Sequence, residues 1–111
     1  MSRRWAAAVD ANQSEIVAGL RKAGASVEPL HSVGAGCPDL LVGYRGKNWL
    51  MEVKDVSKAP SKKKLNERQV EWHAGWKGQV ATVETSGAAL AIIGAIGLHL
   101  AGTINGNERK A

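Results

Sequence analysis

The chain has 111 residues, with 15 Lys and Arg against 10 Asp and Glu, for a formal net charge of +5. At 44% apolar and 23% charged residues, it is one folded domain with its own core, which excludes a disordered or fibrous chain. The basic excess suits a polyanionic partner such as nucleic acid, although many basic domains bind none.

Cys37 is the single cysteine, so no internal disulfide is possible and a reducing compartment is expected. No Cys/His pair has the spacing of a structural zinc site. The start, Met1 to Trp5, lacks the apolar run of a signal peptide. The apolar segment Ala88 to Ala101 is interrupted by Gly94, Gly97 and His99 and falls short of the ~20 residues a bilayer requires. It reads as core or interface, with no membrane partner and a cytoplasmic location.

In chain order, Asp10 to Ala23 is the first predicted helix. Val9, Ile16, Val17 and Leu20 share one face, and Gly24 stops it. Ser26 to His31 is a short strand, followed by the glycine-rich loop Ser32 to Cys37. Asp39 to Tyr44 and Asn48 to Lys54 are apolar-rich strands joined by a tight turn at Arg45-Gly46-Lys47. A polar loop, Asp55 to Ser61, leads to a helix from Lys64 to Trp76. A strand over Gln79 to Glu84 and a small-residue helix from Ser86 to Gly94 or Gly97 follow. Asn105 to Ala111 is a polar tail. The expected fold is α/β: an antiparallel meander of three strands, with the fourth parallel to one of them, flanked by helices in a single domain.

Two stretches carry chemistry: Gly36-Cys37-Pro38-Asp39 and Glu52-Val53-Lys54. Strand alternation sends Trp49, Met51 and Val53 to one face and Leu50, Glu52 and Lys54 to the other. A carboxylate and an ammonium are thereby set side by side, and Asp39 can approach Glu52 across the hairpin. Two adjacent, partly buried carboxylates repel, and one tends to keep its proton unless a cation intervenes. Mg²⁺ favours a few carboxylates plus waters and phosphate oxygens, and Lys54 can offset charge developing on a phosphate. The plain alternative is a surface ion pair with Asp39 as a turn residue. The apolar strands around both acids weigh against that.

Pro38-Asp39 followed by Glu52-Val53-Lys54 resembles the PD-(D/E)XK nuclease signature. The wider pattern of Glu15, Gly36-x-Pro38-Asp39, Glu52-x-Lys54 and Gln69 is similar to the virus-type replication-repair nuclease (VRR-NUC) domain, common as a stand-alone phage protein. The resemblance runs from about Asp10 to Ile93. It implies a DNA endonuclease using Mg²⁺ or Mn²⁺, selective for branched DNA such as Holliday junctions, acting as a homodimer in the bacterial host cytoplasm. It makes Asp39 and Glu52 metal ligands together with the Val53 carbonyl. Lys54 becomes the catalytic lysine, and Gln69 and Glu15 auxiliary catalytic residues, Glu15 with a further role as ligand. Rival readings are a sequence-specific restriction or homing-type endonuclease and a non-catalytic DNA-binding module of the same fold.

Gln69 is the polar member of a helical stripe with Leu65, Trp72 and Trp76, consistent with a site residue or an edge position. Glu15 shares a flank with Ala8, Asn12 and Gly19, where solvent exposure is an equal alternative. Trp49, Trp72 and Trp76 read as core, since base stacking would require exposed rings. His31 reads as a strand-end residue with phosphate contact as the alternative, His73 as solvent-facing, His99 as a packing residue, and Cys37 as a small buried thiol. Arg3 and Arg4 either assist DNA binding or belong to a loose terminus.

Lys58, Lys62, Lys63, Lys64 and Arg68 form a basic cluster just beyond the motif. As a charge run it can be a solvated face; beside a nuclease site it becomes a phosphate track. Replacing Lys62, Lys63 and Lys64 with Ala should lower the slope of log affinity against log salt by roughly 2 to 3, at about 0.9 per phosphate contact. Single-turnover cleavage at saturating enzyme should hold steady. An unchanged slope in filter-binding titrations would remove these lysines from the DNA track.

Overall fold

A computed structural model of the chain describes residues 11–55 and 64–97. The described elements are α1 (Gln13–Lys22), β1 (Ser26–Pro29), β2 (Leu40–Tyr44), β3 (Lys47–Val53), α2 (Glu67–Gly75), β4 (Val80–Val83) and α3 (Ser86–Ile92). One sheet holds all four strands in the order β1-β2-β3-β4. The first three run antiparallel, and β4 is parallel to β3. This is the expected small mixed α/β sheet flanked by helices.

Register follows from the β2–β3 hairpin. Arg45 and Gly46 both adopt positive φ, 51° and 81°, the geometry of a two-residue primed turn whose twist matches its strands. Tyr44 then pairs with Lys47, and the ladder runs to Leu40 opposite Met51. Leu40, Val42, Trp49, Met51 and Val53 face one side and pack with Val27, Val83, Ile16 and Leu20 of α1, and Ala89 and Ile93 of α3. Gly19 lets α1 and α3 approach closely, since a Cβ there would lie 2.9 Å from the Ser86 Cβ. Described residues of the apolar segment are therefore used largely in this core, with Ala88, Leu90, Ile92 and Ala95 packed against it. Its end, residues 98–101, lies outside the described residues. Among those described, no helix is long and apolar enough to cross a membrane.

The other sheet face carries Leu41, Leu50 and Glu52 and is only partly covered. α2 approaches it, yet none of its residues is fully buried. This corrects the reading of its aromatic stripe as core. Trp72 is half-buried and Trp76 is 43% exposed. The two indoles stack on each other at 4.8 Å and 18°. α2 also starts three residues later than expected, at Glu67, because Asn66 caps it. The Asn66 side chain accepts the Gln69 N–H, and Gln69 Oε1 accepts the Asn66 N–H, at 2.9 and 3.0 Å.

The glycine-rich loop fixes where α2 stands. Gly36 has φ +87°, and a Cβ there would lie 2.6 Å from the carbonyl oxygen of Arg68. Both the conformation and the close backbone approach require glycine. Gly36→Ala should cost about 2 kcal/mol or more, read from urea unfolding, and should push α2 away from the sheet. Wild-type stability in this variant would show that the loop and α2 are not in fixed contact.

Candidate active site

The site is built at the C-terminal end of β3. The β2–β3 register, continued by one pair beyond Leu40 and Met51, sets Asp39 opposite Glu52. Both backbone and side chain of Asp39 are pinned. Its carbonyl accepts the Leu30 N–H at 2.7 Å, and its Oδ2 accepts the Val53 N–H at 2.7 Å. Glu52 is only 3% exposed, and its carboxyl lies within hydrogen-bond reach of the Asp39 carboxyl.

Lys54 and Gln69 close the cluster from the other side. Gln69 Nε2 donates to Glu52 Oε2 at 2.8 Å, and Lys54 Nζ donates to Gln69 Oε1 at 3.2 Å. Lys54 Nζ also lies 3.6 Å from Glu52 Oε2. The Gln69 amide is thus oriented by chemistry: its oxygen takes two donors, from Lys54 and Asn66, and its nitrogen meets a carboxylate. One side chain caps α2 and ties it to the acid and the lysine.

Asn12 holds the strand behind the lysine. Its Nδ2 donates to the Lys54 carbonyl at 3.0 Å and the Glu84 carbonyl at 2.7 Å. Lys54 N–H in turn donates to the Val83 carbonyl at 2.9 Å. These bonds anchor the backbone of Lys54 between α1 and β4.

The electrostatics follow from this packing. Burial, first, and the charge of Asp39, second, push the Glu52 carboxyl up from 4.5 to about 8, against the opposing pull of Lys54. Burial, then Glu52 and Asp39, also raise the Cys37 thiol, which keeps it in its weakly coordinating form. His73 is lowered by burial and by the charge of Lys54.

The donor set fits a hard divalent cation. Glu52 Oε1 is buried without a donor, beside a second carboxylate that makes ionisation costly. A cation between the two acids would satisfy the oxygen and remove the repulsion. The candidate ligands are Asp39, Glu52 and the carbonyl of Val53. No group of three or more His, Cys, Asp or Glu comes together among the described residues.

Four of the five expected catalytic residues therefore converge: Asp39, Glu52, Lys54 and Gln69. Glu15 does not join them. It is exposed on α1 and takes no part in the hydrogen bonds of the cluster; Asn12, earlier on the same flank, makes the contact from this helix. The sequence reading also missed His73, expected in solvent. It is half-buried, its Nε2 is enclosed without a partner, and it senses Lys54. Its spacing of four from Gln69 on a helix was the available signal. Asp55 is buried rather than part of an open polar loop. His31, Lys64 and Arg68 are exposed; Lys58, Lys62, Lys63 and His99 lie outside the described residues.

Because Glu52 is raised on folding, the metal-free folded state binds more protons than the unfolded chain between about pH 4.5 and about 8. Without divalent metal, stability should fall as pH rises through that window. Glu52→Gln should flatten the dependence and melt above wild type at pH 8.5. Thermal melts in chelator at pH 5 and pH 8.5 test this; a wild-type slope in the Gln variant would assign the effect to another group.

Comparison with protein-family models, curated proteins and solved structures gives no match.

Proposed function

We propose that this protein is an Mg²⁺- or Mn²⁺-dependent DNA endonuclease. The carrying observation is the buried Glu52 carboxyl, placed against Asp39 and bound through Gln69 to Lys54. A surface ion pair would need none of this burial. A stable core would be better served by apolar groups than by two adjoining carboxyls.

Asp39 and Glu52 hold the cation, with the Val53 carbonyl next to them on the strand. When bound, the metal supplies Lewis-acid polarisation of the phosphate and a lowered pKa for coordinated water. Lys54 presents its ammonium to the same point, where it neutralises charge developing on a phosphate oxygen and orients the attacking water. Gln69 keeps the Lys54 and Glu52 side chains in mutual register. Lys64, just before α2, and Arg68, in its first turn, are exposed and would meet flanking phosphates.

The substrate class we assign is branched DNA, including Holliday junctions and related replication or repair intermediates, cut by a homodimer whose two sites match a two-fold junction.

Cleavage of a panel of linear, nicked, flapped and four-way DNA should require Mg²⁺ or Mn²⁺ and stop with chelator. Asp39→Asn and Glu52→Gln should abolish cleavage and metal affinity while DNA binding persists. Lys54→Ala should keep most metal affinity yet lose at least about 100-fold in rate. Gln69→Ala should slow cleavage without unfolding the domain. Absence of metal-dependent cleavage on every substrate would leave a DNA-binding module without catalysis.

A further inference from the structure

The open sheet face continues from Glu52 into an apolar groove. Leu41, Asn48, Trp49, Leu50, Trp76 and Gln79 line it, and it encloses about 390 Å³. Leu41, at 39% exposure, and Trp76, at 43%, are two of the four exposed large hydrophobic residues among those described. Both face this one groove.

The aromatic wall is built to stay open. One face of the Trp76 indole is covered by Trp72 in the parallel stack at 4.8 Å. Its edge is closed by Gly78, where a Cβ would lie 2.8 Å from the Trp76 Nε1. With these contacts in place Trp76 is still 43% exposed and lines the groove. Leu41 and Leu50, cross-strand partners, form an apolar floor. Asn48 and Gln79 bring amide groups to the rim, where Gln79 Nε2 donates to the Asn48 carbonyl at 2.6 Å.

The groove is also tied geometrically to the site. Leu50 and Glu52 project from the same face of β3, two residues apart, or about 7 Å at about 3.4 Å per residue. α2 runs alongside, with Gln69 bonded to the acid and Trp76, its C-cap, lining the groove. Lys77 follows Trp76 and is exposed, in a chain of net charge +5.

We propose that this groove stacks an unpaired nucleobase of the DNA strand whose phosphate lies at Glu52, so that the enzyme selects substrates with single-stranded or unstacked nucleotides beside the cut. The inference rests on the nuclease reading for the placement of that phosphate. An exposed indole face, an apolar floor and an amide rim beside a phosphate site are what stacking and edge recognition of a splayed base require. Paired duplex keeps its bases stacked internally and cannot fill the groove.

The test is binding in chelator, which separates it from catalysis. Fluorescence anisotropy should compare a labelled duplex carrying a short unpaired thymidine flap with the blunt duplex of the same length. Trp76→Ala should weaken flap binding by about 10-fold, as alanine substitution at base-stacking rings does. Blunt-duplex binding should be unchanged, and Trp76→Phe should keep most of the flap affinity. Leu41→Glu, on the floor of the groove, should give the same selective loss, so the result does not depend on the folding of one variant. Equal affinity of wild type and both groove variants for the flap would overturn the proposal. So would a Trp76→Ala protein that changes oligomeric state by light scattering, since a second copy would then be the occupant. Selective flap binding without any metal-dependent cleavage would keep the groove and defeat the nuclease. Cleavage with no Trp76 effect on flap binding would do the reverse.

Discussion

Glu52 is the constraint around which the rest is arranged. A carboxyl at 3% exposure, next to a second carboxyl, is costly to ionise in the folded chain. Three neighbours answer that cost in part: Lys54 by charge, Gln69 by a hydrogen bond, and the Val53 N–H by occupying the adjacent Asp39. None of them reaches Glu52 Oε1. Among the described residues the site is thus under-compensated, which is the electrostatic condition a cation would relieve. A fold selected only for stability would have no reason to keep the second acid.

The same cluster explains how α2 is held. The helix buries no residue fully and is joined to the sheet through polar contacts and the close approach at Gly36. Gln69 sits at the junction of both systems, since its oxygen serves the cap and the lysine while its nitrogen serves the acid. Loss of the Gln69 amide would therefore weaken the seating of the helix and its ties to Glu52 and Lys54 together. Helices held this way open at lower free energy than those packed into a core. α1 and α3 contrast with it: Ile16, Leu20, Ala89 and Ile93 are embedded in the apolar layer, so they form the rigid side of the sheet.

Much of this was legible in the sequence where a period or a turn dictates geometry. Alternation along β3 separates Met51 and Val53 from Glu52, and the Arg45-Gly46 turn fixes the register that brings Asp39 opposite Glu52. Gln69 stood out as a polar residue in an apolar stripe. Tertiary layering was not legible. A helix of aromatic residues looks the same in sequence whether a further layer covers it or not, so Trp72 and Trp76 were read as core. His73 and Asn12 escaped because both act through partners distant in sequence, the Lys54 ammonium and the Lys54 and Glu84 carbonyls. Glu15 was placed by resemblance, and the first helix turns Asn12 to the sheet while Glu15 remains exposed.

The two faces of the sheet divide the labour of the molecule. The covered face supplies the burial that holds β2 and β3 at fixed spacing, so the acids on the ladder cannot move apart to relieve their repulsion. The open face turns that rigidity into a surface, where charge at Glu52 gives way within a strand's length to the apolar floor at Leu41 and Leu50. α2 links the two regions of that surface, since Gln69 near its start bonds Glu52 while Trp76, its C-cap, lines the groove, so the seating of one helix governs both the acid and the indole.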